Sequence, residues 1–341
     1  MIDPLTHVIA LLMTLVVSGP VAHRYRPFLA AGAGFVFLTL FAPTASLFLL
    51  FSIAEVWCIC RLVDKRPRND NWRKYAPYLL LLNLFFVDFH ALLLGWYVQT
   101  VGISFALIRL FMTAKQLVSS RKDLRSEYGR WLFTATFYLP AIIIGPIFSG
   151  LDLRKQALAG EQPLKRVSRT YRHLFGGLVL AVLVAPYFGD MIVYGLAALL
   201  PPFLMLFAAF WGQSLIAENS SRLMGYRLPQ NFNKPWLASD IRDFWRRWHV
   251  SMAQFIMQYI YLPLTLRGVS PRKATVAAFL FMGLWHKVAP GYLLWGLGHG
   301  LLMALWPPAS ADRPRWFNWV ERTVTLIAVI CLSYVANHAF G

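Results

Sequence analysis

The chain has 341 residues, of which 58% are hydrophobic and 14% are charged, and its formal net charge is +18. Soluble domains usually contain about a quarter charged residues, so this composition excludes a water-soluble globular protein and predicts an integral membrane protein. The lysines and arginines lie in short segments between apolar runs and are not gathered on one soluble module. This distribution argues against nucleic-acid binding and is typical of cytoplasmic loops beside transmembrane helices.

A membrane-spanning helix needs about 20 mostly apolar residues, and the sequence contains about ten or eleven hydrophobic segments that approach this length. In chain order they cover about residues 4–21, 27–60 (two helices separated at Pro43), 76–98, 100–118, 131–149, 174–189, 191–216, 273–286, 290–307 and 318–338. Several are short or interrupted by proline, which is tolerated only where protein or a water-filled cavity covers the freed backbone groups. The pattern predicts an all-α, polytopic membrane protein whose tilted and partly broken helices enclose a polar path.

Two basic connections, at about residues 61–74 and 154–172, are predicted to face the cytoplasm. Membrane lipids with anionic headgroups would bind them, and an acidic partner or a phosphate-bearing donor would suit them equally. The first hydrophobic segment follows no basic region and no cleavage site, so we expect it to remain as a membrane helix. Cys58, Cys60 and Cys331 have neither disulfide nor metal-ligand spacing, and no metal site is predicted.

The most polar and most aromatic stretch of the chain is 240–264, which lies between hydrophobic segments. At helical spacing Trp245 and His249 are i and i+4, and Arg242 and Arg246 share a neighbouring face. One face of this helix is therefore a candidate cradle for a polar or anionic substrate. The alternative is an amphipathic helix at the membrane surface, with its arginines on lipid headgroups and its tryptophans in the interfacial belt.

His286 ends the apolar segment 273–286 and lies between Trp285 and Lys287. A histidine at membrane depth is costly unless it faces a cavity or a partner. Because imidazole titrates near neutral pH, it can take a proton from an attacking hydroxyl and return it to a leaving group. The alternative is a histidine at a helix end that hydrogen-bonds a carbonyl. His299 lies among glycines that permit close helix packing, and a structural role and a catalytic role fit it equally well.

The segment 231–235, Asn-Phe-Asn-Lys-Pro, predicts a turn, because asparagine side chains bond to nearby backbone groups. Asp88 and His90 are two residues apart and would lie on different faces of a helix. The sequence has no glycine-rich phosphate loop, no metal-ligand cluster and no Gly-x-Ser-x-Gly motif. We expect no tightly bound cofactor.

A set of motifs in a fixed order gives the most specific signal. It comprises Gly102-Ile-Ser-Phe105, Gly145-Pro-Ile147, Gly212-Gln-Ser-Leu215, Arg222-Leu-Met-Gly225, Leu228-Pro-Gln-Asn-Phe-Asn233, Asp243-Phe-Trp-Arg-Arg-Trp-His249, Tyr259-Ile-Tyr-Leu-Pro263, Gly283-Leu-Trp-His286 and Trp295-Gly-Leu-Gly-His-Gly300. Over about residues 100–306 this set resembles the membrane-bound O-acyltransferase family, and within it the bacterial branch involved in alginate O-acetylation and in D-alanyl transfer to teichoic acids.

The resemblance implies one membrane domain over residues 1–341, with N-terminal helices at 1–99, a core at 100–306 and a C-terminal helix at 307–341. It implies a funnel in which a thioester donor, either acyl-CoA or an acylated carrier protein, meets a hydroxyl acceptor of a polysaccharide, lipid or small molecule. By position, the catalytic histidines would be His286 and His249. The substrate- and donor-binding residues would be Asn233, Trp245, Arg246, Arg247, Trp248, Trp285, Lys287 and His299.

The resemblance also implies a bacterial inner membrane location, a short acyl group such as acetyl, and an extracytoplasmic partner protein that completes transfer. Two positions depart from the family pattern, since Lys287 replaces a glycine and Leu215 replaces a carboxylate. A non-catalytic scaffold that lost activity through these changes is therefore one alternative. A transporter or flippase is another, in which the histidines and Asp88 form a proton or substrate path.

Overall fold

The computed structural model describes residues 4–67, 70–84, 102–120, 124–161, 164, 166–306 and 315–338. In these ranges the chain forms sixteen α-helices: α1 Pro4–Ser18, α2 Arg26–Phe41, α3 Pro43–Asp64, α4 Asn71–Tyr75, α5 Ile103–Ser119, α6 Tyr128–Phe137, α7 Gly150–Ala159, α8 Val167–Val179, α9 Ala185–Gly189, α10 Leu200–Leu223, α11 Ile241–Arg247, α12 Val250–Ile256, α13 Leu262–Thr265, α14 Pro271–His286, α15 Pro290–Leu305 and α16 Arg315–His338. Short 3-10 and π-helical turns connect several of them.

The apolar helices agree with the predicted membrane class. Four helical stretches in the described part of the chain are long and apolar enough to cross a bilayer: Pro43–Val63, Val167–Gly189, Gly195–Leu223 and Trp319–Ala336. The predicted break at Pro43 is confirmed, since α2 ends at Phe41 and Pro43 opens α3. Proline suits the first turn of a helix because its missing N–H would have no partner there. Most of the predicted helix at 76–98, including Asp88 and His90, lies outside the described residues.

The predicted helix over 131–149 is wrong at its C-terminal end. α6 stops at Phe137, because Pro140 has no N–H to donate and its ring clashes with a preceding carbonyl. The break frees backbone carbonyls in a buried place, and side chains from other helices pair with them. Arg109 donates to the carbonyls of Ala141 at 2.7 Å and Thr136 at 3.3 Å.

The chain forms two compact units. Unit 1 comprises Met1–Val182 and Gly212–Pro229, and unit 2 comprises Leu183–Trp211 and Gln230–Gly341. In unit 1, α2, α3, α5 and α6 pack on one another, and α7 packs on α5 and α6. In unit 2, α14 and α15 form a closely packed pair, α16 packs on α15, and α11 contacts both α15 and α16. The predicted site residues all lie in unit 2.

Candidate active site

The α14–α15 pair is held together by glycines, and this packing places His286. A Cβ atom on Gly296 would lie 2.5 Å from the Phe279 carbonyl oxygen, and one on Gly300 would lie 2.9 Å from the Val276 Cα. Only glycine permits the two backbones to approach this closely. His286 is the last residue of α14. The tight pair therefore holds its side chain against the first turns of α15.

Three aromatic rings surround the imidazole of His286. Its ring centroid lies 4.6 Å from that of Trp285, 5.2 Å from that of Trp295 and 5.7 Å from that of Tyr292. The His286 side chain is nevertheless exposed, and it lines a cavity. The side chain is thus fixed by its neighbours and accessible to a ligand.

This cavity has a volume of about 680 Å³ and is formed entirely within unit 2. Its wall is mostly aromatic and aliphatic and includes five methionines, whose flexible side chains adapt to irregular ligands. Arg242 and Arg246 are the charged side chains among the described lining residues, and no carboxylate is among them. The predicted site residues that line it are Trp245, Arg246, Trp248, His249, Trp285, His286 and His299.

His249 lines the same cavity, but it does not reach it from a continuous helix. α11 ends at Arg247, α12 begins at Val250, and His249 between them has φ 44° and ψ 53°. The prediction that Trp245 and His249 are i and i+4 on one helix face is therefore wrong. A left-handed conformation costs a residue with a Cβ atom about 1–2 kcal/mol. Such strain persists only where the surrounding structure imposes it.

The kink directs His249 into the aromatic wall, where the residue is only 5% exposed. It lies edge-on to Phe210 at 4.6 Å and 6.0 Å from Trp285. Because the same Trp285 indole lies 4.6 Å from His286, one side chain contacts both of the predicted catalytic imidazoles. The sequence separation of these histidines gave no indication of a shared neighbour.

His299 is fully buried in the cavity wall, with its ring 4.5 Å from Trp295 and 5.2 Å from Trp245. Its Nδ1 lies 3.0 Å from the Trp295 carbonyl oxygen. A carbonyl can only accept a hydrogen bond, so Nδ1 carries the proton and Nε2 is the basic nitrogen. Nε2 of His299 and Nε1 of Trp245 are buried without a hydrogen-bond partner among the described residues.

The tryptophans of the motif are core residues of unit 2. Trp245 and Trp248 are each 9% exposed, so they do not form an interfacial belt on a surface helix. Trp248 packs between Phe232 at 5.0 Å and Phe207 at 5.4 Å. The alternative of an amphipathic surface helix does not fit this burial.

The arginines of the motif have three different environments. Arg242 donates to the carbonyl of Trp306 at 2.6 Å, beyond the C-terminal end of α15, where helix carbonyls need donors. Arg246 has 71% of its side chain exposed, beside the cavity it lines and 3.6 Å from Asp243. Arg247 bonds Asp243 at 2.9 Å and is not among the cavity-lining residues.

Asp243 is the carboxylate that pairs with Arg246 and Arg247. Partial burial alone would raise its pKa, but the backbone N–H of Ser239 and the neighbouring guanidinium groups of Arg247 and Arg246 outweigh burial and lower the pKa below its ordinary value. Asp243 is therefore ionised at neutral pH and holds the two arginines. Arg246 keeps most of its donors exposed at the cavity.

Two other predicted binding residues lie elsewhere in unit 2. Asn233 and Lys287 are exposed, and neither is among the residues that line the cavity. Their proposed roles in donor binding stay predictions. The cavity is also lined by Phe210, Tyr292, Ser333 and Tyr334, none of which was predicted from the sequence. Their positions carry no motif and are brought to the site only by tertiary packing.

Comparison with known proteins identifies the family of the chain. Residues 135–306 match the membrane-bound O-acyltransferase family, and this range contains all three histidines of the cavity. The chain belongs to this family. It is therefore a multi-pass membrane protein, and the predicted all-α membrane fold and family resemblance are confirmed.

The relatives include bacterial proteins named for alginate O-acetylation, teichoic acid D-alanyl transfer and peptidoglycan O-acetylation. The chain is 28% identical over 219 residues to the probable alginate O-acetylase AlgI of Pseudomonas syringae pv. tomato, covering 58% of this chain and 41% of the relative. It is 25% identical over 313 residues to the teichoic acid D-alanyltransferase of Streptococcus thermophilus, covering 78% and 72%. A peptidoglycan O-acetyltransferase of Helicobacter pylori is 33% identical over 103 residues, covering 29% and 20%. The matches to the alginate O-acetylases thus span less than half of those relatives.

Proposed function

We propose that this chain is a membrane-embedded O-acyltransferase that moves an acyl group from a thioester donor to a hydroxyl acceptor. The observation that carries the proposal is His286, an accessible imidazole fixed by three aromatic rings in a cavity within the family-matched range. General acid–base catalysis needs a group of this kind within reach of the proton that it transfers.

In the proposed reaction, His286 takes the proton of the acceptor hydroxyl as its oxygen attacks the thioester carbonyl carbon. The tetrahedral intermediate carries its negative charge on the former carbonyl oxygen, and donors in the wall stabilise that charge. When the carbon–sulfur bond breaks, the thiolate leaves and takes the proton back from His286. The products are an ester and a free thiol, and the histidine returns to its starting state.

His249 is the second functional histidine in this proposal, because it lies in the same wall and shares the Trp285 contact. Arg246, beside the cavity with most of its side chain exposed, would bind the phosphates of coenzyme A or of the phosphopantetheine arm of an acyl carrier protein. The relatives named for O-acetylation and D-alanyl transfer support a short acyl group and a polysaccharide acceptor. A bacterial inner membrane location and an extracytoplasmic partner that completes transfer belong to the same proposal.

The test uses protein purified in detergent, radiolabelled acetyl-CoA, and three forms of the chain: wild type, His286→Ala and His173→Ala. His173 lies in α8 of unit 1 and serves as the matched histidine control. We expect thioester turnover in wild type and in the control, and a fall of about 10²- to 10⁴-fold in His286→Ala. Turnover retained in a folded His286→Ala protein would refute the role of His286.

If acetyl-CoA supports no turnover in any of the three proteins, the same comparison is repeated with an acetylated or D-alanylated carrier protein. Turnover with the carrier that depends on His286 would support the enzyme and identify the donor. Absence of turnover with both donor classes would contradict acyl transfer by this chain alone and favour the scaffold alternative.

A further inference from the structure

The left-handed backbone of His249 is imposed by a neighbouring segment of unit 2, residues 231–233. The backbone N–H of Asn233 donates to the carbonyl of Arg247 at 2.9 Å, and the backbone N–H of Val250 donates to the carbonyl of Asn231 at 3.0 Å. These two bonds fix the chain on both sides of His249. The intervening turn is completed by the left-handed conformation at residue 249.

Asn231 contributes its side chain as well as its backbone to this arrangement. Its Oδ1 accepts a hydrogen bond of 2.6 Å from the hydroxyl of Ser251, and the residue has no exposed surface. No side chain caps the N-terminus of α12 from the N-cap position, which is His249 itself. Instead, the first two residues of α12 donate to Asn231: Val250 through its backbone N–H and Ser251 through its hydroxyl. Asn231 therefore caps this helix from a separate segment of the chain.

Ring contacts also connect the segment that contains Asn231 to the cavity wall. Phe232, next to Asn231, packs on Phe210 at 5.0 Å, and Phe210 packs edge-on against His249 at 4.6 Å. Asn231 thus fixes the backbone of His249, while the residue after it supports the ring against which His249 lies. A displacement at Asn231 therefore changes the position of His249 by two separate routes.

We propose that Asn231 is a positioning residue of this site, which acts through Ser251 and the strained backbone to hold His249 in the cavity wall. Its effect on turnover rests on the proposed acyltransferase function, whereas its effect on the position of His249 does not. Because a misplacement of about 1 Å at a reacting group can cost about 100-fold in rate, we expect Asn231→Ala to lower kcat about 10- to 100-fold. The KM for the donor, which Arg246 contacts in the proposal, should change little.

The experiment measures site-resolved labelling of histidines by diethyl pyrocarbonate, with mass spectrometry of wild type, Asn231→Ala, Ser251→Ala and the double variant. His286 is exposed and reports reagent access to the cavity, while His299 is fully buried and reports general loosening. Asn219→Ala is the matched control, because the Asn219 side chain bonds a carbonyl of its own helix in unit 1.

We expect labelling of His249 to rise several-fold in both single variants and in the double variant, with His299 unchanged. The double variant should be no more affected than the worse single variant, because both substitutions remove one shared bond. Unchanged labelling of His249 in Asn231→Ala, or an equal rise at His299, would overturn the proposal. If Asn231→Ala fails to fold, Ser251→Ala makes the same test, and the labelling is decisive even if no variant turns over substrate.

Discussion

The glycine-mediated contact between α14 and α15 gives a sharp prediction, because one added methyl group should disturb both stability and catalysis. On Gly283 a Cβ would lie 3.2 Å from the carbonyl carbon of Tyr292 and 3.4 Å from the Cα of Gly296, and well inside contact distance of the Tyr292 carbonyl oxygen. That oxygen would be about 1 Å closer than an ordinary C···O contact allows. Since the obstacle is backbone, the two helices must move apart.

Overpacking of this kind costs about 1–3 kcal/mol, and we expect the upper part of this range for Gly283→Ala. His286 is three residues further along α14, and its neighbours Tyr292 and Trp295 belong to α15. Separation of the helices by about 1 Å would therefore displace His286 from its flanking rings and lower turnover by about 100-fold. Melting temperature by tryptophan fluorescence in detergent and thioester turnover measure the two effects.

Gly176→Ala is the control for this prediction. A Cβ at Gly176 in α8 meets nothing within 4 Å, and alanine is favoured over glycine in a helix by about 1 kcal/mol. The control should melt at or slightly above the wild-type temperature and keep its turnover. A Gly283→Ala protein that melts and turns over like wild type would show that the close helix contact does not determine the position of His286.

Three further predictions concern buried and paired charges. Arg109→Leu leaves two buried carbonyls without donors, at a cost of about 1–3 kcal/mol each, and should abolish a monodisperse peak in size-exclusion chromatography; a wild-type peak would contradict this. The hydrogen bond from Arg154 lowers the pKa of Glu127 from 4.5 to about 2, so this ion pair stabilises the fold fully above about pH 5 and is lost as the pH falls towards 2. Melting temperatures across this range should fall less in Glu127→Gln than in wild type, and parallel curves would refute the assignment. Arg242→Met removes the donor to the carbonyls at the end of α15 and should cost about 1.5–3 kcal/mol, seen as a lower melting temperature; an unchanged value would exclude this role.

Much of the helical pattern could be predicted from the sequence, because it depends on local properties. Hydrophobic length and proline positions predicted the break at Pro43 and the helix that ends at His286. The interruption at Phe137 was missed, because the apolar run continues through Pro140 and the side chains that pair with the freed carbonyls, Arg109 and His7, come from other helices. A pattern of hydrophobicity along the chain does not show such remote pairing.

In the candidate site, too, features set by neighbouring residues in the sequence were predictable, and features set by tertiary contacts were not. His286 and Trp285 are adjacent in a recognisable motif, and the structure places both in the cavity wall. The kink at His249 could not be predicted, since Val250 and Ser251 continue a plausible helix and the backbone is redirected by Asn231 from outside that helix. Helical periodicity assumes that a segment follows its own preference, and here a tertiary hydrogen bond overrides it.

The last helix of the chain supplies part of the cavity wall although it lies beyond the family-matched range. Val329, Ile330, Ser333 and Tyr334 line the cavity from α16, whereas the three histidines lie within residues 135–306. The histidines proposed to react therefore lie inside the family-matched range, whereas part of the surface that would contact their substrates lies outside it. Substitutions in α16 offer a route by which ligand preference can diverge, or be engineered, while the reactive histidines stay unaltered.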